Sequence, residues 1–218
     1  MSGEPFVRWD WVLQRTDRIW ALTIEHLQLT AWSVGIGLVV ASILSLAAMR
    51  WRRTANPIVW TAGVVYTIPS LALLALLLPF TGLSRTTALI ALVSYTLLIL
   101  VRSILAGFAG VPAGVREAAA AMGYGRWRVL WAVELPLALP VVVAGVRIAT
   151  VTLIGLVTIT ALIGQGGLGT LILDGLRRDF PTPIVVGSVL SVLLATVLDI
   201  LLVGVGRVLT PWTRARSR

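Results

Sequence analysis

Charged positions fall along this chain in blocks, and the gaps between them are long and apolar. Residues 27–49 contain no Asp, Glu, Lys or Arg; neither do 54–84, 86–101, 148–173 and 180–198. A helix needs about 20 apolar residues to cross a bilayer. Bounded at caps and turn residues, and admitting Arg102, Arg147, Asp199 and Arg207, these stretches predict five membrane-spanning helices, over 27–49, 57–79, 86–108, 136–162 and 183–208. Pro57 and Pro183 suit a first helical turn. Pro79 and Gly82 mark a short turn between the second and third helices. Residues 1–26 mix arginine with acids and lack the unbroken apolar run of a secretory signal. Trp9, Val12, Leu13, Ile19 and Trp20 fall near helical spacing. An amphipathic helix on the outer membrane surface is one reading, and a partly ordered tail the other. Trp32, Trp51 and Trp60 lie near predicted span ends, as an aromatic belt requires. No internal repeat or linker divides the chain, so 27–210 reads as one membrane domain and 211–218 as a tail.

Composition agrees with the pattern. Of 218 residues, 58% are apolar and 12% charged, against roughly 45–50% and about 25% in soluble domains. Mean hydropathy is +0.95. This excludes a soluble enzyme or a free DNA-binding module. There is no cysteine, which removes disulfides, thiolate metal sites and thiol nucleophiles, and His26 is the single histidine. The fold class expected is an all-α integral membrane protein.

The net charge of +9 could by itself suggest nucleic acid, but its placement points elsewhere. All the basic residues are arginine. Arg50, Arg52, Arg53, Arg116, Arg126, Arg128, Arg207, Arg214, Arg216 and Arg218 fall on one side of the predicted spans. Arg8, Arg15, Arg18, Arg85, Arg177 and Arg178 fall on the other, diluted by Glu4, Asp10, Asp17, Glu25, Asp174 and Asp179. Arg102 and Arg147 lie within or at the edge of spans. The bias predicts an outside N-terminus and a cytoplasmic C-terminus, consistent with five spans.

The loop over 109–135 is long and polar, on the predicted cytoplasmic side. Its Ala-rich run ends at Gly123, a natural helix stop. The reading is a short helix, a glycine turn, and a second short helix ending where Pro136 enters the membrane. Such a unit can insert into a groove on a cytoplasmic partner, with Arg116 and Glu117 offering charge pairing.

The spacing Glu117-Ala118-Ala119, three residues, Gly123, nine residues, Val133, one residue, Leu135-Pro136 resembles the EAA motif of binding-protein-dependent ABC importer permeases. The family usually carries Ile where Val133 stands. Further segments resemble the osmoprotectant (glycine betaine, carnitine, choline) branch: 67–72, 134–140, 144–147 and 163–169. The methionine-importer branch also carries a Gly-Gly-Leu-Gly loop, so methionine or another small solute is the alternative cargo. The resemblance implies that Arg116, Glu117, Ala118, Ala119 and Gly123 couple the chain to a cytoplasmic ABC ATPase, with Val133, Leu135 and Pro136 closing the motif. It also implies a second permease subunit, as homo- or heterodimer, and an extracellular substrate-binding protein in a bacterial cell membrane. The chain lacks the G-x-x-x-x-G-K-[ST] loop and any lysine to serve one. No cofactor is expected on this chain; ATP and Mg belong to the partner ATPase.

Other residues carry competing readings. Gly164, Gly166, Gly167 and Gly169 lack the strand that a phosphate-cradling loop requires. They read as an outer turn permitting close backbone approach, near a gate or the binding protein. Arg147 and Asp199 are ionisable residues within spans, each about 16 Å from the cytoplasmic helix end, which allows an intramembrane ion pair. Tyr66 and Tyr95 could face a quaternary ammonium or simply pack between helices. Pro69 and Ser70 interrupt the second helix, and broken helices line cavities. His26 reads as an interfacial residue. An intramembrane serine protease using Ser188 and His26 lacks a G-x-S-x-G setting, and a plain membrane anchor does not explain the motif spacing.

Overall fold

The computed structural model describes residues 7–212. Glu4, Arg214, Arg216 and Arg218 of the charge pattern lie outside the described residues, as do the ends of the N-terminal segment and the tail. Among the described residues the chain is helical throughout, without strands.

A short α1 (Trp9–Leu13) precedes α2 (Thr16–Arg50), which runs for 35 residues. At 1.5 Å per residue that is about 53 Å, well beyond the ~30 Å of a hydrocarbon core. The helix that carries the first predicted span therefore begins well before residue 27. The charges of 16–26 do not stop the helix. No Gly or Pro lies between Thr16 and His26, so nothing in the backbone ends it.

The second predicted span, 57–79, is two helices. α3 (Arg52–Thr67) and α4 (Ser70–Thr81) meet at a 99° bend. Pro69 causes it: Ile68, the residue before it, is forced to an extended conformation, with ψ 127°. The Ile68 carbonyl, deprived of a helical donor, accepts from the Tyr95 hydroxyl instead. α5 (Arg85–Ala109) returns across the bundle, N-capped by the Ser84 hydroxyl accepting from the Thr87 amide at 3.2 Å.

Beyond it lie α6 (Ala113–Ala121) and α7 (Arg126–Val129). α7 is not a separate helix, as the sequence suggested. One π turn, Leu130–Glu134, carries it directly into α8 (Leu135–Ile159). Pro136 would clash with the carbonyl four residues earlier in a regular α-helix, and wider i→i+5 bonding makes room for it. α8 ends in a 3₁₀ turn, Thr160–Ile163. α9 (Gly169–Arg177) packs chiefly on α10 (Pro181–Leu209), which completes the bundle.

α5 is the centre, packed on α2, α3, α4 and α8. Two buried clusters hold it. Leu29, Leu73, Leu92, Leu153 and Val157 fill the end beside the Gly-rich loop. Ala41, Leu100, Val101, Ala138 and Ala149 fill the end beside α6. The alanines let backbones approach closely, which is how helices associate where lipid supplies no hydrophobic drive. α10 instead exposes Val189, Val192, Val197, Ile200 and Val205, an apolar stripe suited to lipid or another apolar surface.

Candidate functional site

α6 stands off the end of the bundle. Val115, Ala118 and Met122 form an exposed apolar face with Glu117 beside it, while Ala119 is buried. Behind α6 a groove of about 1320 Å³ separates it from the ends of α2 and α5, with Trp51 and Trp127 among its lining residues. α6 is thus held by few attachments, packing chiefly on α7 and the π turn.

One attachment is the Arg116 side chain. Its Nε donates to Glu134 Oε1 at 2.6 Å, and its terminal nitrogen donates to the Phe108 carbonyl at 2.5 Å. Arg116 is therefore engaged within the chain and is not offered outward as the sequence suggested. Glu134, between Val133 and Leu135, had carried no role in the sequence reading; the ion pair makes it the link between the two ends of the motif. Glu117 is exposed and has no ion pair among the described residues. Gly123 closes the helix with φ 81°, where a side chain would be strained, and the Tyr124 amide bonds back to the Ala119 carbonyl at 3.1 Å. The Tyr124 ring then carries the Arg128 guanidinium 4.2 Å from its centroid. Val133 lies in the π turn, and Leu135 and Pro136 open α8.

The Gly-rich loop lies at the opposite end. Gly166, Gly167 and Gly169 are buried, and of the four only Gly164 is exposed. Gly167, at φ 49°, sits so close to α2 that a Cβ would strike the His26 backbone. Its amide donates to Glu25 Oε1 at 3.3 Å, and His26 Nε2 bonds the Ile154 carbonyl at 3.1 Å. His26 is fully buried, not interfacial as expected. The interfacial reading failed because α2 extends past it and the loop folds over it. The loop is a packed corner locking α2 to α8. Arg18 and Asp174 pair at 2.7 Å and Arg85 reaches Gln28 at 3.4 Å, so these arginines share this end of the bundle.

Arg147 and Asp199 form a two-pronged pair, Nε to Oδ1 and a terminal nitrogen to Oδ2, both at 2.9 Å, between α8 and α10. Tyr95 is buried and packs edge-on against Tyr66 at 5.9 Å, so it serves the bend. Tyr66 remains partly exposed, beside the Pro69–Ser70 break. It shares a groove of about 570 Å³ with Asn56, Trp60, Thr67 and Arg102. Sequence reasoning counted Arg102 only as a charge within or at the edge of a span and passed over Asn56. An arginine inside a span with no nearby acid in its own helix was the available signal. His26 and Ser188 lie on different elements and no hydrogen bond joins them, leaving no catalytic pair.

The chain matches the family described as binding-protein-dependent transport system inner membrane component over residues 30–213. It is 36% identical over 189 residues to the glycine betaine/carnitine/choline transport system permease protein OpuCB of Bacillus subtilis, covering 87% of each chain. It is 36% identical over 206 residues to the osmoprotectant import permease protein OsmW of Salmonella typhimurium, covering 92% of this chain and 96% of that one. Among solved structures, an inward-facing MetNI methionine ABC transporter chain superimposes with TM-score 0.77 at 23% identity, covering 96% of this chain and all of that one. The chain therefore belongs to the family of inner-membrane components of binding-protein-dependent transport systems. It is a multi-pass, non-catalytic permease subunit, whose ATPase and binding protein are separate chains.

Proposed function

We propose that this family member is the membrane half-pathway of an ATP-driven importer for a compatible solute of the glycine betaine, carnitine or choline class. The observation that carries the cargo is the 36% identity over about nine-tenths of the chain to permeases named for those solutes. The methionine transporter, at 23% identity, supports the fold alone.

In this reading α6 is the coupling helix. Its apolar face and the outward Glu117 dock on a cytoplasmic ABC ATPase carrying ATP and Mg. Arg116, by seating α6 on Glu134, transmits the ATPase's movement to α8 through the π turn. That orientation puts Arg50, Arg126 and the C-terminus in the cytoplasm, and the Gly-rich corner, α9 and the N-terminus outside, where the binding protein delivers solute. The domain reading follows: 27–210 as the transport domain, with 109–135 as its coupling segment. A second permease subunit completes the pathway. Alternating access is then relative motion of the two halves, biased by ATP.

Radiolabelled glycine betaine uptake by cells lacking other betaine transporters tests this, with this chain, its ATPase and its binding protein supplied together. Uptake that requires all three supports the reading. Uptake unaffected by omission of this chain overturns it.

A further inference from the structure

The exposed surfaces of this bundle are not alike. α10 presents valine, leucine and isoleucine along its length. The outward face of α3 and α5 presents Asn56, Trp60, Tyr66, Thr67 and Arg102 instead, around a groove of about 570 Å³. In α5 Arg102 stands seven residues before Ala109, about 10 Å in from that helix end. In α3 Asn56 to Thr67 span about 6 to 22 Å from its start. Arg102 is exposed and has no ion-pair partner among the described residues. A charge, an amide and hydroxyls at such depth are costly against hydrocarbon and belong at a water-filled or solute-bearing surface. The groove also ends at the 99° break between α3 and α4, the kind of broken helix that borders a solute site.

We propose that this groove is a transient site for the solute on its way through the pathway, in which Arg102 receives a carboxylate. The guanidinium fork matches a carboxylate in two-pronged geometry, which a lysine ammonium does not. Trp60, 72% exposed, and Tyr66 supply aromatic faces on the same groove. Those faces suit the quaternary ammonium at the other end of a small zwitterion. The volume falls within the range of about 300–1,000 Å³ usual for small-molecule sites. The chemistry selected is thus a carboxylate joined by a short linker to a trialkylammonium group. An ammonium solute without the carboxylate would use the aromatic half alone. This inference rests on the proposed class of cargo.

The test is uptake of glycine betaine, carnitine and choline by cells carrying the complete transporter, with wild type, Arg102→Gln and Arg102→Lys compared at equal membrane abundance. Arg102→Gln is expected to lower betaine and carnitine uptake about tenfold more than choline uptake, the loss that follows removal of one charged hydrogen-bond partner. Arg102→Lys, which keeps the charge but not the fork, is expected to recover part of the betaine uptake. Equal loss of all three solutes would overturn the site, because it would place Arg102 in subunit pairing or assembly. So would unchanged betaine uptake, or a chain absent from the membrane in Arg102→Gln but restored by Arg102→Lys. If wild type carries none of the three, the reading of the cargo fails first and the carboxylate site falls with it. A wild type that carries them makes any failure in the variants a failure of the Arg102 site alone.

Discussion

Replacing Arg116 with Ala should unseat α6 while leaving the membrane-spanning helices folded. The side chain makes two hydrogen bonds, to Glu134 at 2.6 Å and to the Phe108 carbonyl at 2.5 Å. A shielded charged hydrogen bond is worth about 1.5–3 kcal/mol, and a fully exposed ion pair about 0–1 kcal/mol. Arg116 at 38% and Glu134 at 19% side-chain exposure lie between these limits. Together the two bonds should hold α6 in place by about 2 kcal/mol, roughly a thirtyfold bias toward the seated position. Glu134→Gln keeps the carbonyl bond and should cost about half as much. Hydrogen exchange of the α6 amides in the reconstituted transporter measures the seating, and solute moved per ATP hydrolysed measures its consequence. Both should fall in the order wild type, Glu134→Gln, Arg116→Ala. In the double variant the two effects should not add, since both remove one interaction. Strictly additive effects, or α6 protection unchanged in Arg116→Ala, would refute a connection from α6 to α8 through this pair.

Three further outcomes are expected. Glu117→Arg or Gly123→Pro should abolish uptake while the chain stays in the membrane, since one reverses the outward charge and the other breaks the helix end; wild-type uptake in both would remove α6 from coupling. Asp199→Ala should lower the abundance of folded chain by stranding Arg147, and the reversed pair Arg147→Asp with Asp199→Arg should restore it, as immunoblots of membrane fractions would read. Gly167→Ala should lower the thermal midpoint of the solubilised transporter, with a cost of about 2 kcal/mol or more, because it adds a Cβ against the His26 backbone at a positive φ. An unchanged midpoint would mean that the Gly-rich corner gives way.

Much of this protein was legible in its residues because a bilayer punishes polar groups so heavily. Long uncharged stretches could be little other than membrane spans, and most of the charges had to lie near their ends. α5 and α10 depart from the predicted 86–108 and 183–208 by one or two residues, since a cap or a proline sets their ends. The motif spacing around Glu117 likewise lies in the chain order itself. The hydropathy pattern could not tell where a helix continues beyond the lipid, as in α2, because water tolerates helix as well as coil. Nor could it resolve whether Pro69 would kink a span or fold it through 99°.

Tertiary structure decided the pairings. Arg116 was free to meet a partner or its own chain until the π turn brought Glu134 beneath it. His26 was an end-of-span residue until the Gly-rich loop closed over it. Arg102 was a charge count until α3 placed Asn56, Trp60 and Tyr66 at its side. The physical reason is common to all three. Burial in a bilayer depends on each residue's own transfer energy and is written in composition, whereas a hydrogen bond or a solute site depends on distance between residues far apart in the chain, which only packing sets.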